Sequence, residues 1–116
     1  MSLPSELLVF VETNVFTRRI GGLGLDDALR ELQLMLLENP EAGDVDPGTG
    51  GLRKVRMPDR LRGKGKRGGA RVHYLWLSQK RLVYFLYVYA KGEMKTLSPE
   101  QKKHLRTIVQ QIKEQP

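Results

Sequence analysis

The sequence predicts an α+β fold, in which one antiparallel β-sheet carries two helices from the N-terminal part of the chain and one from the C-terminal part. Two stretches, 25–39 and 98–112, repeat apolar residues at helical spacing. Two others, 70–77 and 81–90, are long runs of β-forming residues joined by a short connection. The predicted order is β-α-α-β-β-β-α, and a length of 116 residues fits a single domain over 1–116.

The chain is predicted to begin with a strand and a short helix. Leu7–Glu12 (LLVFVE) is apolar and rich in β-branched and aromatic residues, which is typical of a strand. Thr13 or Asn14 can cap a helix that continues to Arg19. Three glycines then follow and are expected to break the helix: Gly21, Gly22 and Gly24.

A second, amphipathic helix is predicted over Leu25–Asn39, and Asn39 with Pro40 stops it. Glu41–Gly51 is then a turn-rich loop, rich in glycine and aspartate. The helix's apolar stripe predicts the core positions Leu29, Leu32, Met35 and Leu36.

The second half of the chain supplies the main strands. Leu52–Met57 is a strand candidate on which Lys54 and Arg56 share one face, and a basic, glycine-rich loop follows it. Ala70–Leu77 and Arg81–Ala90 form a hairpin, in which the apolar run 82–89 predicts a central strand covered on both sides. Ser98, with proline next and glutamine three positions later, marks the start of the last helix.

The positive charge is concentrated in one segment. Residues 53–71 hold nine basic side chains and one acidic side chain, a net charge of +8, so the remainder of the +7 chain carries −1. Such a segment indicates contact with an anionic partner such as nucleic acid. The basic residues of the segment are Arg53, Lys54, Arg56, Arg60, Arg62, Lys64, Lys66, Arg67 and Arg71.

Composition excludes several chemistries. The chain has no cysteine and two histidines, so it predicts no disulfide, no thiolate or multi-histidine metal site and no cysteine nucleophile; we expect no metal and no cofactor. His73 and His104 are expected to be structural. No apolar run approaches the ~20 residues of a membrane span, and no secretory leader is evident, so we expect a soluble, cytoplasmic protein.

Three words in the sequence resemble the HigB branch of the RelE/ParE toxin superfamily: GTGGLRK at 48–54, GKGKRGG at 63–69 and YAKGEM at 89–94. The likeness extends from about Leu7 to Ile112. It implies a RelE-like fold and the toxin of a type II toxin–antitoxin pair. Such toxins enter the ribosomal A site and cut mRNA there, and a HigA-like helix-turn-helix antitoxin holds them inactive.

RNA can be cut by its own 2′-hydroxyl if the protein supplies a base, cations for the phosphorane and an acid for the leaving oxygen. With histidine scarce, lysine and arginine would serve. Lys54 is the candidate base, because the cations expected around it favour a neutral amine. Arg71 follows the Gly-Gly pair, as the resemblance requires, and would clamp phosphate or protonate the leaving group. Arg56 would be a second phosphate-binding residue, and Lys91, at the Tyr-x-Lys position, would complete a ring of cations around the phosphate.

RNA binding is expected to involve further residues around this ring. The glycines of the basic loop allow close approach to phosphates, and its cations attract them. The predicted RNA contacts are Arg53, Lys64, Lys66, Arg67 and Tyr89. Two alternatives remain open from the sequence: a non-catalytic RNA- or ribosome-binding relative, and a ParE-like topoisomerase poison.

Overall fold

The computed structural model describes residues 7–58 and 69–115, and it confirms the α+β class. Within these ranges, no helix has the length and apolar character needed to cross a membrane. The elements in chain order are β1 (Val9–Glu12), α1 (Asn14–Leu23), α2 (Asp26–Glu38), β2 (Asp44–Val45), β3 (Arg53–Met57), β4 (Ala70–Leu77), β5 (Leu82–Ala90) and α3 (Pro99–Lys113).

The strands form one five-stranded sheet in the order β1-β5-β4-β3-β2. The sheet is mixed and not wholly antiparallel as predicted, because β1 pairs with β5 in parallel, with Val9 beside Leu82. Short connections impose antiparallel pairing on consecutive strands, but β1 and β5 are far apart in sequence and no local turn sets their direction. The predicted loop 41–51 also contains β2, whose two residues are too few to produce a strand pattern.

Helices cover both faces of the sheet, and β5 contributes to both cores, which confirms that it is a central strand. Helices α1 and α2 pack on the first face, where Phe85 stacks on Phe16 at a centroid distance of 5.1 Å. Helix α3 packs on the second face through Leu105, Val109 and Ile112. A register shift between His73 and Tyr74 changes which β5 side chains face each helix layer.

The helix boundaries differ in detail from the prediction. Helix α1 continues through Gly21 and Gly22 to Leu23 and ends at Gly24, whose φ of 68° suits a residue without a side chain. Helix α2 ends at Asn39 as expected. Met35 is not a core residue as predicted: it is 40% exposed, because the buried stripe of α2 follows Ala28, Leu29, Leu32 and Leu36.

The caps of α1 and α3 agree with the sequence. Ser98 forms a full capping box with Gln101, since the Ser98 N–H donates to Gln101 Oε1 at 2.8 Å and Ser98 Oγ accepts from the Gln101 N–H at 3.1 Å. Thr13, and not Asn14, caps α1, because its Oγ1 accepts from the Phe16 N–H at 3.2 Å. The same hydroxyl donates to the Leu86 carbonyl oxygen of β5 at 3.1 Å.

We expect Thr13→Ala to lower the free energy of unfolding by about 1–2 kcal/mol, because it removes both the cap and the bond from α1 to β5. Asn14→Ala, one residue further along and exposed, is the matched control and should change stability by no more than about 0.5 kcal/mol. Urea unfolding of both variants measures the difference. Equal losses would show that the Thr13 hydroxyl does not cap the helix.

Candidate functional site

The cationic candidates meet where β3, β4 and β5 run side by side. Arg56 of β3 lies opposite Arg71 of β4, and Arg71 in turn lies opposite Tyr89 of β5. Tyr89 belongs to the core beneath α3, so these three positions share the second face of the sheet. Lys91 follows the end of β5, and its N–H donates to the Gly69 carbonyl oxygen at 3.2 Å. The sheet register therefore brings residues from three separate segments to one place.

A cavity of about 550 Å³ lies at this place and is lined by four cations: Arg56, Arg71, Lys91 and Lys95. Three of the four were predicted as site residues from the sequence. Lys95 was missed, because it lies in the connection before α3, well outside the basic segment. The sequence shows that Lys95 is charged. It does not show that Lys95 lies near Arg56, because this depends on the pairing of β5 with its neighbouring strands. Since none of the described residues that line this cavity is acidic, this lining suits an anion.

Arg71 is the most enclosed of these cations, at 8% exposure. Burial first, and then the charge of Arg56, lower the pKa of the Arg71 guanidinium, while nearby Tyr89 acts in the opposite direction. An arginine nevertheless remains charged at any physiological pH. Two adjacent cations, one of them buried, repel each other and lose hydration, and a bound phosphate would offset both costs.

Lys54 lies beside the cavity and does not line it. It is two positions from Arg56 on the same strand and faces His73 across the β3–β4 pair. It instead lines a larger neighbouring groove of about 790 Å³, to which Arg56 also contributes. The predicted catalytic set is thus divided: Arg56, Arg71 and Lys91 share one cavity, and Lys54 adjoins it.

The predicted RNA contacts are less close to this cavity. Arg53 faces the first side of the sheet, because its partner Tyr74 belongs to the core under α1 and α2. Its guanidinium donates to the carbonyl oxygens of Glu41 and Gly43 and pairs with the Glu41 carboxylate at 3.2 Å. Tyr89 is fully buried, so its ring presents no face on which a base could stack. Lys64, Lys66 and Arg67 lie outside the described residues.

A buried polar network lies beside the cavity, and little in the sequence predicts it. His73 is completely buried, and its Nε2 lies 2.8 Å from Asp46 Oδ2. Lys102 of α3 donates to the other oxygen, Asp46 Oδ1, at 3.0 Å. The ring of His73 stacks against Tyr89, with centroids 6.0 Å apart. Neither His73 Nδ1 nor Tyr89 Oη has a hydrogen-bond partner within the described ranges.

Opposing effects set the protonation of this pair. Burial lowers the pKa of His73, and the hydrogen bond that His73 makes to Asp46 only partly counters this effect. Burial acts to raise the pKa of Asp46, but its hydrogen bonds with His73 and Lys102 outweigh burial and leave that pKa below its ordinary value. At neutral pH a neutral imidazole therefore donates its Nε2–H to a carboxylate. The pair anchors the loop after β2 to the middle of the sheet.

Three basic residues of α3 have structural partners in the same loop. Lys102 Nζ donates to the Pro47 carbonyl oxygen at 3.1 Å, Arg106 Nη1 to that of Gly48 at 3.3 Å and Lys113 Nζ to that of Gly50 at 3.1 Å. These bonds fasten the loop 46–51 to the helix that covers the second face. The charge of α3 therefore serves the fold, and the cavity lining draws its charge from the strands and the connection after β5.

The protein should lose stability as the pH falls below about 6.5, the ordinary pKa of histidine. Because the pKa of His73 is lower in the folded state, the unfolded chain takes up this proton first, and the loss approaches ~1.4 kcal/mol per pH unit until the folded-state pKa is reached. Unfolding in urea between about pH 7.5 and about pH 5.5 measures the slope.

The two histidines of the chain provide the control for this pH dependence. His104→Gln, on the exposed side of α3, should keep the slope between about pH 6.5 and about pH 5.5, whereas His73→Gln should flatten it. A slope that persists in His73→Gln and disappears in His104→Gln would contradict the assignment.

No protein-family model matches the chain. The likeness to HigB-type toxins therefore rests on the three sequence words and on an α+β architecture compatible with a RelE-like fold. The chemistry of the cavity stands independently of that likeness. Two guanidinium and two ammonium groups around one space can bind the non-bridging oxygens of a phosphodiester and stabilise added negative charge on it.

Proposed function

We propose that this protein is the toxin of a type II toxin–antitoxin pair, a HigB-like endoribonuclease that cuts mRNA in the ribosomal A site and so inhibits translation. The observation that carries the proposal is the cavity lined by Arg56, Arg71, Lys91 and Lys95, in which no acidic residue from the described ranges 7–58 and 69–115 takes part. The resemblance supplies the substrate and the setting: a cytoplasmic toxin whose partner is a HigA-like helix-turn-helix antitoxin.

The proposed reaction is a transesterification within the RNA strand. The 2′-oxygen attacks the adjacent phosphorus, its proton passes to a base, and the bond from phosphorus to the 5′-oxygen breaks. The products are a 2′,3′-cyclic phosphate and a 5′-hydroxyl, whose proton comes from an acid. Arg56 and Arg71 hold the phosphorane oxygens, and an ammonium group of Lys91 or Lys95 is placed at the same cavity to protonate the leaving oxygen.

Lys54 is the base in this proposal, although it does not line the cavity that would bind the phosphate. It shares the strand face with Arg56 but lies in the adjoining groove. A substrate that spans both spaces would bring its 2′-hydroxyl towards Lys54 while its phosphate lies among the cations. If no substrate spans them, the cavity binds RNA without cutting it, and the separation of Lys54 is the observation that favours this second function.

Primer extension on an mRNA translated in a cell-free system distinguishes the two functions. Cleavage predicts discrete new 5′ ends inside translated codons, which disappear with Lys54→Ala and persist with Lys103→Ala, a control lysine exposed on α3. Blocked translation with intact mRNA would overturn cleavage and support binding alone. Cuts in free RNA, without ribosomes, would overturn the dependence on the ribosome.

A further inference from the structure

The groove beside the cationic cavity differs from it in chemistry. It is formed between α2 and the sheet edge at β2 and β3, and Arg56 lines both spaces. Pairing between β2 and β3 ends at Lys54, so the outer edge of β3 beyond that residue borders the groove. A strand of RNA with one phosphate among the cations would therefore place a neighbouring nucleotide in the groove, next to Arg56.

Much of the groove's lining is apolar. Leu32 and Met35 of α2 face Val55 of β3 and Pro58 across it. Met35 is 40% exposed although helical periodicity predicts it to be buried, and this groove is the space to which it is exposed. An apolar slot with a flexible thioether suits the face of a flat aromatic ring, since sulfur–aromatic contacts are favourable. A nucleobase has such a face.

The polar groups of the groove include carboxylates. Asp44 of β2 and Glu31 of α2 both contribute to the lining. Asp44 is exposed and lies opposite Lys54 in the β2–β3 pair, and its carboxylate makes no hydrogen bond or ion pair with another described residue. An ionised carboxylate can only accept hydrogen bonds. It therefore favours a base that presents an exocyclic amino group, such as adenine N6, over uracil, which presents the O4 acceptor at the equivalent position.

We propose that the groove is a nucleobase subsite, in which Met35 contacts the ring and Asp44 selects a base with an exocyclic amino group next to the bound phosphate. This inference rests on the proposed RNA-binding function and deepens it by assigning sequence preference to residues outside the basic segment. The cationic cavity binds any phosphodiester, whereas the groove discriminates between bases.

Binding of short 2′-O-methyl oligoadenylate and oligouridylate, followed by fluorescence anisotropy, tests the subsite apart from cleavage, because the modified strands lack the attacking 2′-hydroxyl. The wild-type chain should prefer oligoadenylate. Asp44→Asn should reduce this preference about tenfold, since the amide can donate to uracil O4. Met35→Gln should weaken oligoadenylate binding about fivefold, and Leu34→Gln, its 66% exposed neighbour on the same helix, should not.

The outcomes separate the subsite from the activity. An unchanged preference in Asp44→Asn, or equal effects of Met35→Gln and Leu34→Gln, would overturn the subsite even if the chain cuts mRNA. Loss of preference in Asp44→Asn supports the subsite even if primer extension shows no cuts. In a chain that does cut, the bases at the mapped cut sites should shift towards uracil in Asp44→Asn.

Discussion

Arg71→Ala is expected to reduce cleavage of ribosome-bound mRNA by about 100-fold or more. Arg71 is the most buried cation of the cavity, and the positive charge of its neighbour Arg56 acts on it. In the proposed reaction, its removal takes away one of the two guanidinium groups that hold the phosphorane. The loss should appear mainly in kcat, because this charge interacts more strongly with the added charge of the transition state than with the substrate phosphate.

Two controls accompany this variant. Arg71→Lys keeps the charge but not the planar fork, so it should recover only part of the activity. Lys103→Ala removes a cation from the exposed surface of α3 and should leave the rate within about twofold. The thermal unfolding temperature of each variant distinguishes a catalytic loss, which leaves it unchanged, from a folding defect, which lowers it. A folded Arg71→Ala protein that cuts at the wild-type rate would show that the cavity is not the active site.

Gly69→Ala is expected to lower the free energy of unfolding by about 3 kcal/mol. A Cβ at Gly69 would overlap the Met57 carbonyl oxygen and lie 2.9 Å from Pro58 Cα, and neither backbone atom can rotate away. The β3–β4 pair would have to separate at the point where Met57 lies opposite Ala70. Because the Arg56–Arg71 pair is the next step of the ladder, cleavage should fall as well.

Gly92→Ala is the matched control, since a Cβ at Gly92 meets nothing within 4 Å. It should be neutral to within about 0.5 kcal/mol in urea unfolding. If Gly69→Ala lost no more stability than Gly92→Ala, the close approach of β4 to the end of β3 would be wrong. The pairing of Arg56 with Arg71 would then lose its support.

Features set by local sequence were predictable, and features set by pairing between distant segments were not. The capping box at Ser98 and the hairpin strands follow from residues a few positions apart, and the structure has both. The parallel pairing of β1 and the contribution of Lys95 depend on contacts between segments far apart in the chain. Helical periodicity predicted Met35 to be buried, but Met35 is 40% exposed. Periodicity shows which face of a helix packs on the sheet, and it does not show where the packed surface ends.

In the candidate site too, local sequence predicted some residues, and contacts between distant segments could not be predicted. Arg56 and Arg71 were candidates because the basic segment is visible in the sequence, and the register of two adjacent strands brings them together. His73 was expected to be structural, and it is buried, but its partner could not be foreseen. Asp46 lies 27 positions away in a loop whose sequence predicts turns and no contact with the sheet.

The parallel pairing of β1 with β5 also has a consequence for how the chain acquires its structure during synthesis. Thr13 bonds to Leu86 across 73 residues, so β1 has no partner in the sheet until β5 has left the ribosome. Closing so long a loop is slow compared with forming hairpins. Lys91 and Lys95, which follow β5 and complete the cationic cavity, are synthesised after β5. A growing chain therefore cannot assemble this cavity before β5 and the residues that follow it have been synthesised.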